Sequence, residues 1–213
     1  MLVRDVMTAH PISIRPDGDP RAALGLCKSA RIRRLPVVDG EGHVVGIVTR
    51  SMLEQFLATA PPPSVQARQH GMTQVMVAPV VTVSPDDPME EAARRMVDHK
   101  IGSLPVVEDG RLVGIVTETD IFKEFVEILG GQSAALRVTV VVPDVPGSLA
   151  RVVNAVASLR GNVRSAIILP CDDPECRAVT LWVENADREA LTAAIGQVQD
   201  VRLTRVWSPT EGA

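Results

Sequence analysis

The chain says nearly the same thing twice. Arg34-Leu35-Pro36-Val37-Val38, followed by Val45-Gly46-Ile47-Val48-Thr49, returns as Ser103-Leu104-Pro105-Val106-Val107, followed by Val113-Gly114-Ile115-Val116-Thr117. Upstream, Met7 and Pro16 return as Met76 and Pro85, 69 residues on. The offset drops to 68 beyond the turn, where Asp39–His43 is one residue longer than Glu108–Arg111. A duplication of this kind means two copies of one supersecondary unit, each burying apolar surface against its neighbour. Stacked copies also leave clefts between them, so the repeat bears on function as well as fold.

The local pattern fills in each copy. In the first, over residues 1–58, Met7 to Ile14 leads into an extended segment, and Arg15-Pro16-Asp17-Gly18-Asp19-Pro20 is turn chemistry. Asp19 is placed to cap a helix with Pro20 at its first position, and Ala23, Leu24 and Cys27 follow helical spacing. In the second copy, over 72–129, Met89, Ala92, Ala93, Met96 and Val97 predict an amphipathic helix with one apolar face. A hairpin follows: Leu104–Val107, a turn at Asp109-Gly110, then Leu112–Thr117. Closing helices are expected over Arg50–Ala58 and Glu118–Leu129. Residues 59–71, with Pro61-Pro62-Pro63, read as a connector, and Gly130-Gly131-Gln132-Ser133 as a flexible break.

Residues 135–213 are a different unit. Leu136–Val142 is a strand, Pro143-Asp144-Val145-Pro146-Gly147 a turn, and Leu149, Val152, Val153 and Val156 a helical face with Gly161 as its stop. Val163–Leu169 and Ala178–Glu184 are strands joined around Cys171-Asp172-Asp173-Pro174-Glu175-Cys176. Leu191, Ala194, Ile195 and Val198 mark a second helix, and Val201–Trp207 a last strand. The order β-α-β-β-α-β is the ferredoxin-like pattern.

Composition removes several functions. The 213 residues carry a net charge of −4, which argues against general nucleic-acid or anionic-membrane binding. No apolar run reaches the roughly 18 residues of a membrane span, and Met1-Leu2-Val3-Arg4-Asp5 lacks a signal-peptide core. Three cysteines fit a reducing cytoplasm, where the protein is expected. Aromatic residues are only 2%, with no Tyr, so cores must be built from Val, Leu, Ile, Ala and Met.

The Met-x-x-x-Pro start in Met7–Pro11, one residue shorter in Met76–Pro79, the Leu-Pro-Val-Val strands and the Gly-Ile-Val-Thr strand ends together resemble a tandem pair of CBS domains. The C-terminal unit resembles an ACT domain, and the order is similar to that of the acetoin-utilisation protein B family. The resemblance implies an α+β fold: two β-α-β-β-α repeats forming a pseudo-twofold pair, plus a C-terminal ferredoxin-like (βαββαβ) ACT domain. It also implies a non-enzymatic regulatory protein that binds adenosine-containing ligands (AMP, ADP, ATP or similar) between the repeats. No cofactor is required on this reading, and an adenine nucleotide is the regulatory ligand.

The family's ribose motif is Gly, two apolar residues, Thr or Ser, two variable residues, then Asp. Gly114-Ile115-Val116-Thr117-Glu118-Thr119-Asp120 matches it. A carboxylate accepts two hydrogen bonds from a cis-diol, and a hydroxyl ahead of a helix sits beside free N–H groups. Thr117 and Asp120 also have the spacing of a helix cap, and the two roles can coexist. The first copy puts Met52 where Asp belongs, which leaves Thr49 as the core of a weaker second site. Resemblance further places phosphate near Arg33 and Arg34, with Arg31 a solvated charge. It places adenine near Val80, Val81, Thr82 and the backbone of Ser103, Leu104 and Pro105.

In the C-terminal unit, Asp144-Val145-Pro146-Gly147-Ser148-Leu149 matches the ACT effector-loop pattern. Asp144, Pro146, Gly147, Ser148 and Leu149 would either receive an amino acid or similar small molecule, or form a turn in a module that only dimerises. A homodimer is expected in either case. Cys171 and Cys176, with no second thiol pair, make a poor zinc site and read as incidental members of a turn, with metal or redox work as the alternative. His10, His43, His70 and His99 fall in no triad or metal spacing, and no catalytic constellation emerges. Two alternatives stay open: an interaction scaffold without a physiological ligand, and an enzyme of acetoin or nucleotide metabolism.

Overall fold

The computed structural model describes residues 1–59, 71–129 and 135–208. The chain forms two compact units, Met1–Glu124 and Phe125–Ala213. The 59–71 connector falls almost entirely, and the 130–133 break wholly, outside the described residues.

The first unit contains two lobes. One is built from α2 (Pro20–Ser29), the hairpin β2 (Arg34–Val38) and β3 (Val44–Thr49), and α3 (Arg50–Thr59). The other is built from α4 (Met89–His99), the hairpin β4 (Ser103–Glu108) and β5 (Arg111–Thr117), and α5 (Glu118–Ile128), the last running past the unit boundary. The expected leading strand of each repeat is reduced to a single parallel bridge, Ile14 with Val37 and Val83 with Val106. Asp19 caps α2 as its position suggests, its carboxylate accepting from Arg21 N–H at 2.8 Å. On α4, Met89, Ala92 and Met96 are buried, but Val97 is 75% exposed, so the apolar face is narrower than its spacing predicts. The β4–β5 turn takes left-handed φ at Asp109 (49°) and Gly110 (80°). That suits a two-residue hairpin loop.

The two copies trade their leading segments. The short helix α1 (Val3–Val6) and the strand β1 (Thr8–Ala9) belong to the second lobe: Val3 is buried in its core, and β1 pairs with β5, Thr8 opposite Ile115. Reciprocally, Met72 and Val75, in and after a 3-10 turn at Gly71–Gln74, are buried in the first lobe's core. Val77 exchanges both backbone hydrogen bonds with Ile47, at 2.9 and 3.1 Å. The repeat seen in the sequence is therefore not the unit that packs. Each lobe closes its core with residues from the start of the other copy.

The second unit has the β-α-β-β-α-β order: β6 (Leu136–Pro143), α6 (Ser148–Ser158), β7 (Asn162–Pro170), β8 (Cys176–Glu184), α7 (Arg188–Gly196) and β9 (Arg202–Trp207). Its four strands lie in the order β7-β8-β6-β9 with every neighbouring pair antiparallel. Val138, Val140, Val142, Val179, Leu181 and Val183 alternate onto one face and pack against Val152, Val156, Leu191 and Ile195 of the helices. The stop after α6 differs in detail from the sequence reading. Arg160 (φ 58°), not Gly161, takes the left-handed conformation. Gly161 serves by its size, because a Cβ there would sit 2.9 Å from Val156 Cγ1.

Candidate functional site

The segment exchange builds a cleft of about 350 Å³ in the first unit. Thr8, His10, Pro11 and Ile12 line it from the leading segment of the first copy. Ala30, Ile32, Arg33 and Arg34 line it from the link between α2 and β2. Ile115, Thr117, Thr119 and Asp120 come from the second copy, at the end of β5 and the start of α5. The antiparallel pairing of β1 with β5 accounts for this meeting: Thr8 lies opposite Ile115, near the strand end that Thr117 closes, before the chain runs back along β5 with His10 N–H donating to Val113 C=O at 3.0 Å.

Thr117 and Asp120 form a reciprocal cap on α5. Asp120 Oδ2 accepts from Thr117 N–H at 2.9 Å and from the Thr117 hydroxyl at 2.6 Å, while Thr117 Oγ1 lies 3.4 Å from Asp120 N–H. Both strong bonds land on the same carboxylate oxygen. Among the described residues Oδ1 accepts no hydrogen bond, so half of the acceptor capacity remains for a ligand.

Arg33 is exposed and Arg34 half-buried, and neither guanidinium makes a hydrogen bond or ion pair among the described residues. Arg34 reaches across to the second copy, where a Cβ on Gly102 would collide with its guanidinium and approach Glu118 Oε2. Burial, then the neighbouring charge of Arg33, pulls the Arg34 guanidinium below its ordinary value, with Glu118 opposing. Glu118 offsets part of the cost of this half-buried cation without forming an ion pair with it, so a further anion in the cleft is favourable.

Four expected residues thus share this cleft: Arg33, Arg34, Thr117 and Asp120. Val80, Val81, Thr82, Ser103, Leu104 and Pro105 do not line it. Val80 to Thr82 follow Val77, which is bound to Ile47 of the other lobe; Thr82 C=O accepts from Arg95 Nη1 at 2.7 Å. Ser103, Leu104 and Pro105 are buried in β4. Their first-copy counterparts, Pro11, Ile12 and Arg34, occupy the cleft instead. Reading the repeat as a reciprocal exchange would have found them; reading each copy as self-contained did not. His10, whose φ of 48° is left-handed, and Thr119 were also missed as lining residues.

At the other motif, Thr49 Oγ1 accepts from Met52 N–H at 3.2 Å, and Met52 packs against the first lobe's core. The cap survives there without the carboxylate. In the second unit, Asp144 is ion-paired with Arg177 at 2.6 Å, and its N–H donates to Glu175 C=O at 2.7 Å. Gly147 (φ 88°) starts α6, Pro146 is exposed, and Leu149 packs against the core. Ser148 is buried, its hydroxyl accepting from Arg151 at 3.2 Å. The ammonium group of an amino acid received at this loop would therefore compete with Arg177 for Asp144.

Among the described residues no group of three or more His, Cys, Asp or Glu side chains could hold a metal ion. No described helix is long and apolar enough to cross a membrane.

Residues 3–58 and 72–127 match the model of the CBS domain. The CBS domain pair of protein MJ0100, solved with 5′-methylthioadenosine and S-adenosyl-L-methionine, is 31% identical with a TM-score of 0.52, over 59% of this chain and 95% of that one. A Vibrio cholerae protein assigned to acetoin utilization is 32% identical with a TM-score of 0.53, over 61% and 93%. CBSX2, solved with AMP, is 25% identical with a TM-score of 0.52, over 60% and 97%. The chain spans only 23% of the length of two longer curated relatives that it also matches.

Proposed function

Because this chain belongs to the CBS-domain family, we propose that it is a non-enzymatic regulatory protein whose domain pair takes one adenosine nucleotide in the cleft between Arg34 and Asp120. The observation that carries this reading is Arg34, a half-buried cation without an ion-pair partner among the described residues, facing a cleft that also holds a half-used carboxylate. Asp120 Oδ1 accepts from the ribose hydroxyls. Pro11, Ile12, Ile32 and Ile115 supply apolar wall for the base. Arg33 and Arg34 take the phosphate, in the bidentate geometry that suits guanidinium groups. Structure neighbours solved with AMP, S-adenosylmethionine and methylthioadenosine share the adenosine part of this ligand; the two arginines favour the phosphorylated members.

The second motif, with Met52 for Asp and Gly102 and Ser103 for the arginines, lacks both charges and binds weakly or not at all. Ligand binding regulates by favouring one packing of the two lobes over another, which requires different affinity for the two states. The C-terminal unit serves as an ACT-type module for dimerisation or amino-acid sensing; its edge strands β7 and β9 offer unpaired backbone to a second copy.

A thermal-shift series with AMP, ADP, ATP, S-adenosylmethionine and amino acids tests the reading, because a ligand of the folded state raises its melting temperature. Adenine nucleotides are expected to stabilise the wild type and to lose that effect with Asp120→Ala. A flat response to every nucleotide would leave the interaction-scaffold reading in its place.

A further inference from the structure

The hairpin between β7 and β8 carries two cysteines that the nucleotide cleft does not use. Its register ends with Leu169 opposite Ala178 and Pro170 opposite Arg177. Cys171 and Cys176 directly follow and precede this last pair, so the same register continued by one step would set them opposite each other, and the two groups are close enough to interact electrostatically. Opposed residues of an antiparallel pair project to one face with Cα atoms about 4.5–5.5 Å apart. A disulfide needs about 4.4–6.8 Å. Both thiols are free and partly exposed, whereas Cys27 is buried in the first lobe.

The loop between them is already held in a closed turn. Asp173 Oδ1 accepts from Glu175 N–H at 2.9 Å, and Asp173 C=O accepts from Cys176 N–H at 3.1 Å. The Cys176 thiol points to Asp173 Oδ2 at 3.7 Å; partial burial and the Asp173 charge raise its pKa, and Arg202 opposes them. The same hairpin end grips the loop ahead of α6. Glu175 C=O accepts from Asp144 N–H, and Arg177 pairs with the Asp144 carboxylate.

We propose that Cys171 and Cys176 are a redox-active dithiol, closed to a disulfide by exchange with small-molecule disulfides, and that closure shifts the Asp144–Gly147 loop through Glu175 and Arg177. One cysteine thiolate attacks a sulfur of the small disulfide and expels its other half as a thiolate. The second cysteine thiolate then attacks the mixed disulfide and expels the remaining half. Two protein thiols become one disulfide, the small disulfide becomes two thiols, and the protons leave with them. The turn favours the second step, because the two cysteines flank the last pair of the hairpin and the resolving thiol needs only to turn from Asp173 toward its partner.

The full chain is equilibrated with glutathione mixtures of graded redox poise, then alkylated and read by peptide mass. The expected result is a peptide carrying both cysteines that is lighter by two hydrogens. Its fraction rises with oxidised glutathione and returns with reductant. Amide hydrogen exchange at Asp144 should differ by about fivefold or more between the two forms. Cys171→Ser should stop at a glutathione adduct on Cys176 and never form the bridge. Lasting adducts on the wild type without a bridge, no reaction, or a bridge with unchanged exchange at Asp144 would each overturn the proposal.

Discussion

Met7 of the first copy packs on Gly114 of the second, and Met76 packs on Gly46 in return. A Cβ on Gly114 would collide with Met7 Sδ and come within 3.1 Å of Met7 Cγ and 3.3 Å of Thr8 O; at Gly46 the Met76 Sδ is in the way, with Cγ at 2.9 Å. Neither glycine has a positive φ. The glycine of each Gly-Ile-Val-Thr strand is thus a matter of space, left for a methionine that arrives from the opposite copy.

Gly114→Ala should destabilise the first unit by about 1–3 kcal/mol through overpacking. Met7→Ala in the same chain should recover part of that loss, because the colliding side chain is gone. Urea unfolding of the two single variants and the double variant measures the coupling. Simple additivity would mean that the two residues do not meet.

The end of α6 offers a test of opposite sign at adjacent positions. Arg160→Gly should stabilise by about 1 kcal/mol, because a non-glycine residue is strained in the left-handed region. Gly161→Ala should destabilise, because its Cβ would also lie 3.1 Å from the Val156 carbonyl oxygen and 3.2 Å from Val183 Cγ1. Denaturant midpoints of the two variants should move in opposite directions.

Glu91 sets a pH dependence. Hydrogen bonds from Arg94 and then Arg95 lower its pKa from 4.5 to about 2. A depressed carboxylate contributes its full stabilisation above pH 4.5 and loses it as pH falls through about 2. Glu91→Gln should lower stability above pH 4.5 and flatten the acid limb within that window, so that the two proteins converge below about pH 2, as followed by circular dichroism against pH.

Much of this architecture is written in the chain. The two copies, the Asp19 cap, the Asp109-Gly110 turn and the β-α-β-β-α-β order follow from spacing and turn chemistry, which are local. The exchange of Val3 and Met72 between cores is not local. Each residue looks like an ordinary apolar position, and nothing within its own copy says which core receives it. The same blindness affected the cleft. Thr117, Asp120, Arg33 and Arg34 carry distinctive chemistry and could be named. Pro11 and Ile12 are generic apolar residues whose place depends on β1 crossing to β5, so their counterparts Val80 and Val81 were named instead. Val97 shows the same limit at smaller scale, since periodicity marks a face but not where the neighbouring lobe stops covering it.

Asp120 has two roles that substitution can separate. Asp120→Ala should cost about 1 kcal/mol as a lost cap, whether or not nucleotide is present. Asp120→Asn keeps an oxygen acceptor for Thr117 and should hold most of that stability, yet weaken nucleotide binding by about tenfold or more through loss of the charged acceptor. Unfolding without ligand and titration with AMP report the two effects independently.

The central claim is that Arg34 waits for a phosphate beside a ribose held by Asp120. Calorimetric titration of the wild type and Arg34→Ala with AMP, and with adenosine as the phosphate-free control, addresses it directly. The account predicts one AMP bound per chain. It also predicts about 10- to 100-fold weaker AMP binding for Arg34→Ala, the range of a charge-assisted hydrogen bond, with adenosine affinity nearly unchanged. Equal AMP affinity in the two proteins, or an equal loss for AMP and adenosine, would contradict it.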